Sequence, residues 1–96
     1  MKDFSKNWDD FIELLMGVES LAEMKSFLRL FLASEERKHI IDRYLTMQEL
    51  IKKEKPQRQI SKDLNVSIAK ITRCSNSLKE ADVRVIQRLK VDLKKN

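Results

Sequence analysis

The stretch from Gln57 to Ser77, QRQISKDLNVSIAKITRCSNS, decides the fold. Ile60 and Leu64 stand one helical turn apart, Asn65-Val66-Ser67 interrupts the pattern, and Ile68, Ile71 and Leu78 resume a helical face beyond it. The spacing predicts two short helices joined by a sharp turn, with Ile60, Leu64, Val66 and Ile71 as the small core that locks their crossing angle. The turn chemistry agrees. Ser61 is small where the two helices must approach, Asn65 is the next best residue after glycine at positive φ, and Ser67 can cap the second helix. The reading is a helix-turn-helix over residues 56–79, whose second helix offers the side chains of its first turns to a DNA major groove.

Working outward, Pro56 cannot continue a preceding helix and disfavours helical geometry at Lys55, so a boundary falls there. Upstream of it, Ser34-Glu35-Glu36 reads as a helix start, a capping hydroxyl followed by carboxylates at the positive end of the dipole. That helix is predicted to run to about Lys53, with Ile40, Ile41, Tyr44, Leu45, Met47, Leu50 and Ile51 at three-and-four spacing. Earlier still, Trp8, Phe11, Ile12, Leu14, Leu15, Val18 and Leu21 define an amphipathic helix, with Trp8 expected as an anchor of its core. Met24 to Leu32 is apolar nearly all round at its end and needs cover from more than one side, from a partner subunit or, in a monomer, from the rest of the chain. A further helix is expected over 82–95, giving an all-α chain of about six helices.

Bulk composition fits this picture. A chain of 96 residues suits one domain, and a domain of this size hides only about 60 to 65% of its unfolded surface, so oligomerisation is the expected remedy for a thin core. One glycine and one proline are too few for strands joined by tight turns. One cysteine and one histidine exclude a disulfide framework and a cysteine–histidine metal cluster, and there is no nucleophile, base and orienter set, so no enzyme is expected. Cys74 reads as a small packing residue and His39 as a solvated side chain. No apolar run approaches a bilayer span and no signal segment follows Met1, so a cytoplasmic protein without a membrane partner is expected.

Charge is segregated. Residues 1–50 carry a net −3 and residues 51–96 a net +8, which places the site for a polyanion in the second half. Between Ile51 and Lys79 stand 8 basic and 2 acidic residues, concentrated on the predicted reading unit. Ile68, Ala69, Lys70 and Thr72 open the second helix, and Gln57 and Arg58 open the first. Arg58 suits guanine O6 and N7, a contact worth about 1 to 3 kcal/mol of discrimination, whereas Lys52, Lys53, Lys62 and Lys70 suit phosphate.

The runs Gln57-Arg58-Gln59-Ile60 and Ile71-Thr72-Arg73-Cys74-Ser75-Asn76-Ser77-Leu78-Lys79 resemble the tryptophan repressor family, and the similarity extends back through Glu36-Arg37 and Leu28-Arg29-Leu30-Phe31-Leu32 to Trp8. The resemblance implies an intertwined helical homodimer, with dimerisation helices over 5–53, that binds double-stranded operator DNA when L-tryptophan is bound as corepressor. It also implies base contacts that are largely water-mediated. It implies a pocket in which Arg43 and Arg73 flank the indole, Arg73 pairs the ligand carboxylate, and the carbonyls of Leu30 and Leu32 from the other subunit meet the ammonium with the Ser77 hydroxyl.

Ala33 stands where the family has a threonine, and loss of a hydrogen bond to a charged group costs about 1.5 to 3 kcal/mol. Cys74 replaces a pocket glycine and is expected to crowd the ring, at about 1 to 3 kcal/mol. Ser61 replaces a phosphate-contacting lysine, with Lys62 as its substitute. Two other functions compete with a tryptophan-dependent repressor: a DNA-binding relative that senses another amino acid or none, and a helical protein-interaction module with a merely solvated basic face.

Overall fold

In the computed structural model, which describes residues 3–95, the chain forms six helices and no strand among the described residues. They are α1 (Phe4–Met16), α2 (Leu21–Phe31), α3 (Ser34–Lys52), α4 (Gln57–Leu64), α5 (Ile68–Glu80) and α6 (Val83–Lys95). The chain divides into two units between Arg37 and Lys38, within α3. None of the described helices is long and apolar enough to cross a membrane.

In the first unit, the Asp3 carboxylate accepts from the Lys6 amide and opens α1. The apolar periodicity from Trp8 to Leu21 predicted one helix, but the structure ends it at Met16. Gly17 is the C-cap, its amide turned back to the Glu13 and Leu14 carbonyls, and the Ser20 hydroxyl then accepts from the Glu23 amide to begin α2. Glycine weakens helix continuation and serine favours a cap, so two local preferences override the periodic pattern.

An aromatic chain joins these helices. Phe4 stacks on Trp8, Trp8 meets Phe11, and Phe11 meets Phe31 edge-on with centroids 5.1 Å apart. No residue of α1 or α2 is fully buried, and Trp8, expected as a core anchor, is 52% exposed. The start of α3 also differs from expectation. Ser34 is its first helical residue, and the Ala33 amide donates to Glu36 Oε1 at 2.8 Å, so the glutamate side chain satisfies the entry rather than the serine hydroxyl.

In the second unit, Ile60, Val66 and Ile71 form the buried cluster, with Leu50 and Leu64 packed against it. Burial of each of the two isoleucines contributes about 1.5 to 3 kcal/mol. Four of these five residues are those predicted from spacing, and Leu50 is the contribution of α3. The residues of α3 turned to this unit recur at helical intervals: His39, Asp42, Arg43, Thr46 and Leu50. Of its other apolar residues, Ile40, Ile41, Tyr44 and Leu45 remain exposed, and Met47 and Ile51 are half-buried. Lys53 adopts a left-handed φ of 56° just past the end of α3, and the Tyr44 hydroxyl donates to Asp92 Oδ2 at 2.9 Å, tying α6 to α3.

Candidate functional site

The α4–turn–α5 element is built by its turn. Asn65 sits at φ 54° and ψ 48°, the left-handed conformation its side chain type tolerates. The amides of Asn65 and Val66 both donate to the Ser61 carbonyl. Ser61 also grips the turn from its side chain, the hydroxyl donating to the Val66 carbonyl at 2.6 Å. The Ser67 hydroxyl accepts from the Lys70 amide at 3.1 Å and caps α5. Among the described residues, the only helix pair packed over several backbone positions is α4 and α5.

On this frame Gln57, Arg58, Lys62, Ile68, Ala69 and Thr72 are exposed, as base or phosphate contacts must be. Neither Arg58 nor Lys62 forms an ion pair among the described residues. The Thr72 hydroxyl donates to the Ile68 carbonyl at 3.0 Å, which leaves its oxygen as an acceptor for an outside partner.

Two of the residues expected to contact DNA have partners within the chain. Ser61 is half-buried and its hydroxyl donates within the turn. Lys70 is also half-buried. Its ammonium lies 3.2 Å from Asp42 Oδ2 and 3.2 Å from His39 Nδ1, both on α3. His39 is exposed as expected, yet it has this partner. Neither α3 residue was singled out for this role from sequence, because pairing across 28 and 31 positions leaves no periodic signal.

Of the residues that the resemblance assigns to a ligand, the structure brings two together. Arg43 is half-buried and its Nη2 donates to Ser77 Oγ at 3.4 Å, a long bond that joins α3 to α5. Ion pairing of Arg43 with Asp42 or Glu36, the ordinary alternative for an arginine in mid-helix, is not formed. Arg73 is exposed, four residues before Ser77 and therefore on the same face of α5.

Cys74 is fully buried, so its thiol fills the interior of the second unit. Leu30 and Ala33 are exposed and Leu32 is half-buried, all three in the first unit. The Leu32 carbonyl already accepts from Arg37 Nη1 at 2.7 Å, a partner that sequence reading missed. No group of three histidine, cysteine or acidic side chains able to hold a metal is present among the described residues.

The electrostatics of the reading unit are local. Lys55 bonds Asp63 Oδ2 at 2.8 Å and Gln59 bonds the other oxygen at 2.7 Å. The Lys55 ammonium, with Gln59 second, holds the Asp63 carboxyl below the usual aspartate range. The pair sets one acidic against one basic charge of the segment and leaves its net positive charge unchanged.

Comparison with known proteins gives a consistent answer. The family model described as Trp repressor protein matches residues 6–91. A Trp operon repressor homolog from Chlamydia caviae is 39% identical over 83 residues, covering 86% of this chain and 82% of the relative. One from Haemophilus influenzae is 35% identical over 88 residues, covering 92% and 87% respectively. One from Chlamydia trachomatis is 37% identical over 75 residues, covering 78% and 80%.

Proposed function

The chain belongs to the Trp repressor protein family, and on that premise we propose that it is a cytoplasmic transcriptional repressor that binds double-stranded operator DNA as a homodimer when L-tryptophan is bound. The observation that carries the DNA-binding part is the α4–α5 unit, a fixed turn with Gln57, Arg58, Lys62, Ile68, Ala69 and Thr72 exposed on it. The helix that enters the groove is α5, and the exposed cations of α4 engage the backbone and groove edge. This is a regulator's equipment rather than an enzyme's.

Homodimerisation is supported by the apolar surface of the single chain. Phe4, Trp8, Met16, Leu21, Leu30, Phe31, Ile40 and Ile41 are all exposed, far more than a stable monomer of this size leaves in water. A second copy covering them supplies the missing core. The dimerisation helices are those within residues 5–53, the reading unit spans 56–79, and the segment 82–95 completes a single functional domain.

The corepressor reading assigns Arg43, Arg73 and Ser77 of one subunit to the tryptophan side chain and carboxylate, and the Leu30 and Leu32 carbonyls of the other subunit to its ammonium. The Arg43–Ser77 bond supports it. Cys74 acts as packing behind the pocket, and Ala33 contributes no hydroxyl, which lowers affinity for the carboxylate. A second reading, a sensor of another amino acid or of none, is favoured by the Arg37 guanidinium on the Leu32 carbonyl. Selection from a random duplex library with and without millimolar L-tryptophan separates the two. Enrichment of a two-fold symmetric site only with tryptophan supports the first reading. Equal enrichment without it supports the second, and no enrichment in any amino acid overturns both.

A further inference from the structure

The α3 face that meets α5 carries polar residues at its N-terminal end and apolar ones further on. Within the polar part, Asp42 Oδ2 takes a hydrogen bond from Lys70 at 3.2 Å and a second from Lys38 at 2.9 Å. The side chains of Asp42 and Lys70 are only 16% and 22% exposed, whereas that of Lys38 is 71% exposed. His39 Nδ1 stands 3.2 Å from the same Lys70 ammonium. Lys70 belongs to the first turn of α5, immediately after the Ser67 cap, and Ser77 lies two turns further along the same face, bonded to Arg43. Two polar fastenings therefore run from α3 to α5, one at the end of α5 that enters DNA and one at the end assigned to ligand.

We propose that Asp42, assisted by His39, is a positioning residue that clasps Lys70 and pins the N-terminal turn of the reading helix α5 to α3. Lys70 thus acts through the protein and not on phosphate. A free lysine at a helix N-terminus adds positive charge where the helix dipole is already positive, so on its own it suits neither the helix nor close packing against it. The half-buried Asp42 carboxylate supplies the compensating charge, and the exposed Lys38 and His39 complete the cluster. The clasp orients α5 without a ligand, so it sets a basal level of order in the reading unit that a corepressor then adds to.

This inference rests on the reading of α5 as the helix that enters DNA, and its test has one arm that does not depend on that reading. In the first arm, amide hydrogen exchange is followed on the whole protein free of DNA and tryptophan, comparing Asp42→Asn, Asp42→Glu, Lys70→Met and the Asp42→Asn/Lys70→Met double variant. Exchange at Ile71 to Cys74 is expected to accelerate roughly two- to fivefold in either single variant, the range for a partly exposed ion pair. The double variant should be no faster than the singles, and Asp42→Glu should retain protection, while the Ile60 to Leu64 amides of α4 stay as they were. Unchanged exchange at Ile71 to Cys74, or uniform acceleration across α4, α5 and α6, overturns the clasp.

In the second arm, duplex affinity is measured across salt concentrations. Lys70→Met should weaken binding equally at every salt concentration, whereas Lys62→Met should reduce the salt slope by about one. A slope reduced by about one in Lys70→Met, with tighter binding by Asp42→Asn, overturns the proposal and makes Asp42 a competitor for a phosphate-binding lysine. Failure of all variants and the unaltered protein to bind duplex rejects the DNA-reading assignment, and the exchange arm still decides the clasp.

Discussion

Thr46 is the residue whose chemistry fits its surroundings least well. It is fully buried in α3, and its hydroxyl has no hydrogen-bond partner among the described residues. An unpartnered buried hydroxyl costs about 1 to 3 kcal/mol, and valine has nearly the same shape. Thr46→Val is therefore expected to raise stability by about 1 kcal/mol in urea unfolding. A lower midpoint would mean that the hydroxyl has a partner in solution. Asp63 offers a second test. Lys55 and Gln59 hold its carboxyl below the ordinary aspartate range in the folded state. A depressed folded-state value contributes stability above the unfolded-state pKa, and that contribution is lost as pH falls through the folded value. Lys55→Met should therefore move the Asp63 titration upward in carboxyl-detected NMR and remove part of the pH dependence on the acid side. An unmoved titration would contradict the ion pair.

At the scale of elements, the helix-turn-helix was legible because its signals are local. The positive φ of Asn65, the Ser67 cap and the Ile60, Val66 and Ile71 core all follow from residues within about a dozen positions of each other. What failed were readings in which a periodic or cap signal had competitors. The Trp8 to Leu21 pattern ran across Gly17 and Ser20, and the segment Ala33 to Glu36 contains both a serine and a glutamate able to satisfy the entry to α3. The inward face of α3 was hidden for a different reason. Apolar periodicity finds apolar contacts, whereas His39, Asp42 and Arg43 meet their partners through polar bonds.

Substitutions at two positions test the turn itself. Asn65→Val places a β-branched residue in the left-handed region, at about 1 to 2 kcal/mol, while Asn65→Gly should be tolerated. Ser67→Ala should cost about 1 kcal/mol by loss of the cap. Both are read as shifts in unfolding midpoint, and equal stability of Asn65→Val and the unaltered protein would contradict the turn geometry.

For the molecule as a whole, the charge asymmetry and the exposed apolar surface are two sides of one organisation. The second half of the chain holds the compact buried cluster and the positive field, and the first half holds helices whose apolar residues lie open in a single chain. The proposed homodimer would cover that surface, and on that proposal the thermal midpoint should rise with protein concentration, as mass action requires for a coupled dimer. A concentration-independent midpoint with a monomer mass in sedimentation equilibrium would contradict the proposed homodimer. Of the residues that the resemblance assigns to a ligand, the sequence located some of the neighbours and not others. Arg43 and Ser77 do meet, but the buried position of Cys74 and the Arg37 bond to the Leu32 carbonyl depend on packing and rotamer choice that no residue spacing encodes.

The most direct test of the central claim is fluorescence anisotropy of the unaltered protein and Arg58→Ala on a selected duplex and a scrambled one, between low and physiological salt. The account predicts that affinity falls steeply as salt rises, by a slope of about −0.9 for each phosphate neutralised, and that Arg58→Ala narrows the gap between the two duplexes. Binding that is absent, or indifferent both to salt and to loss of Arg58, would contradict a DNA-reading role for α4 and α5.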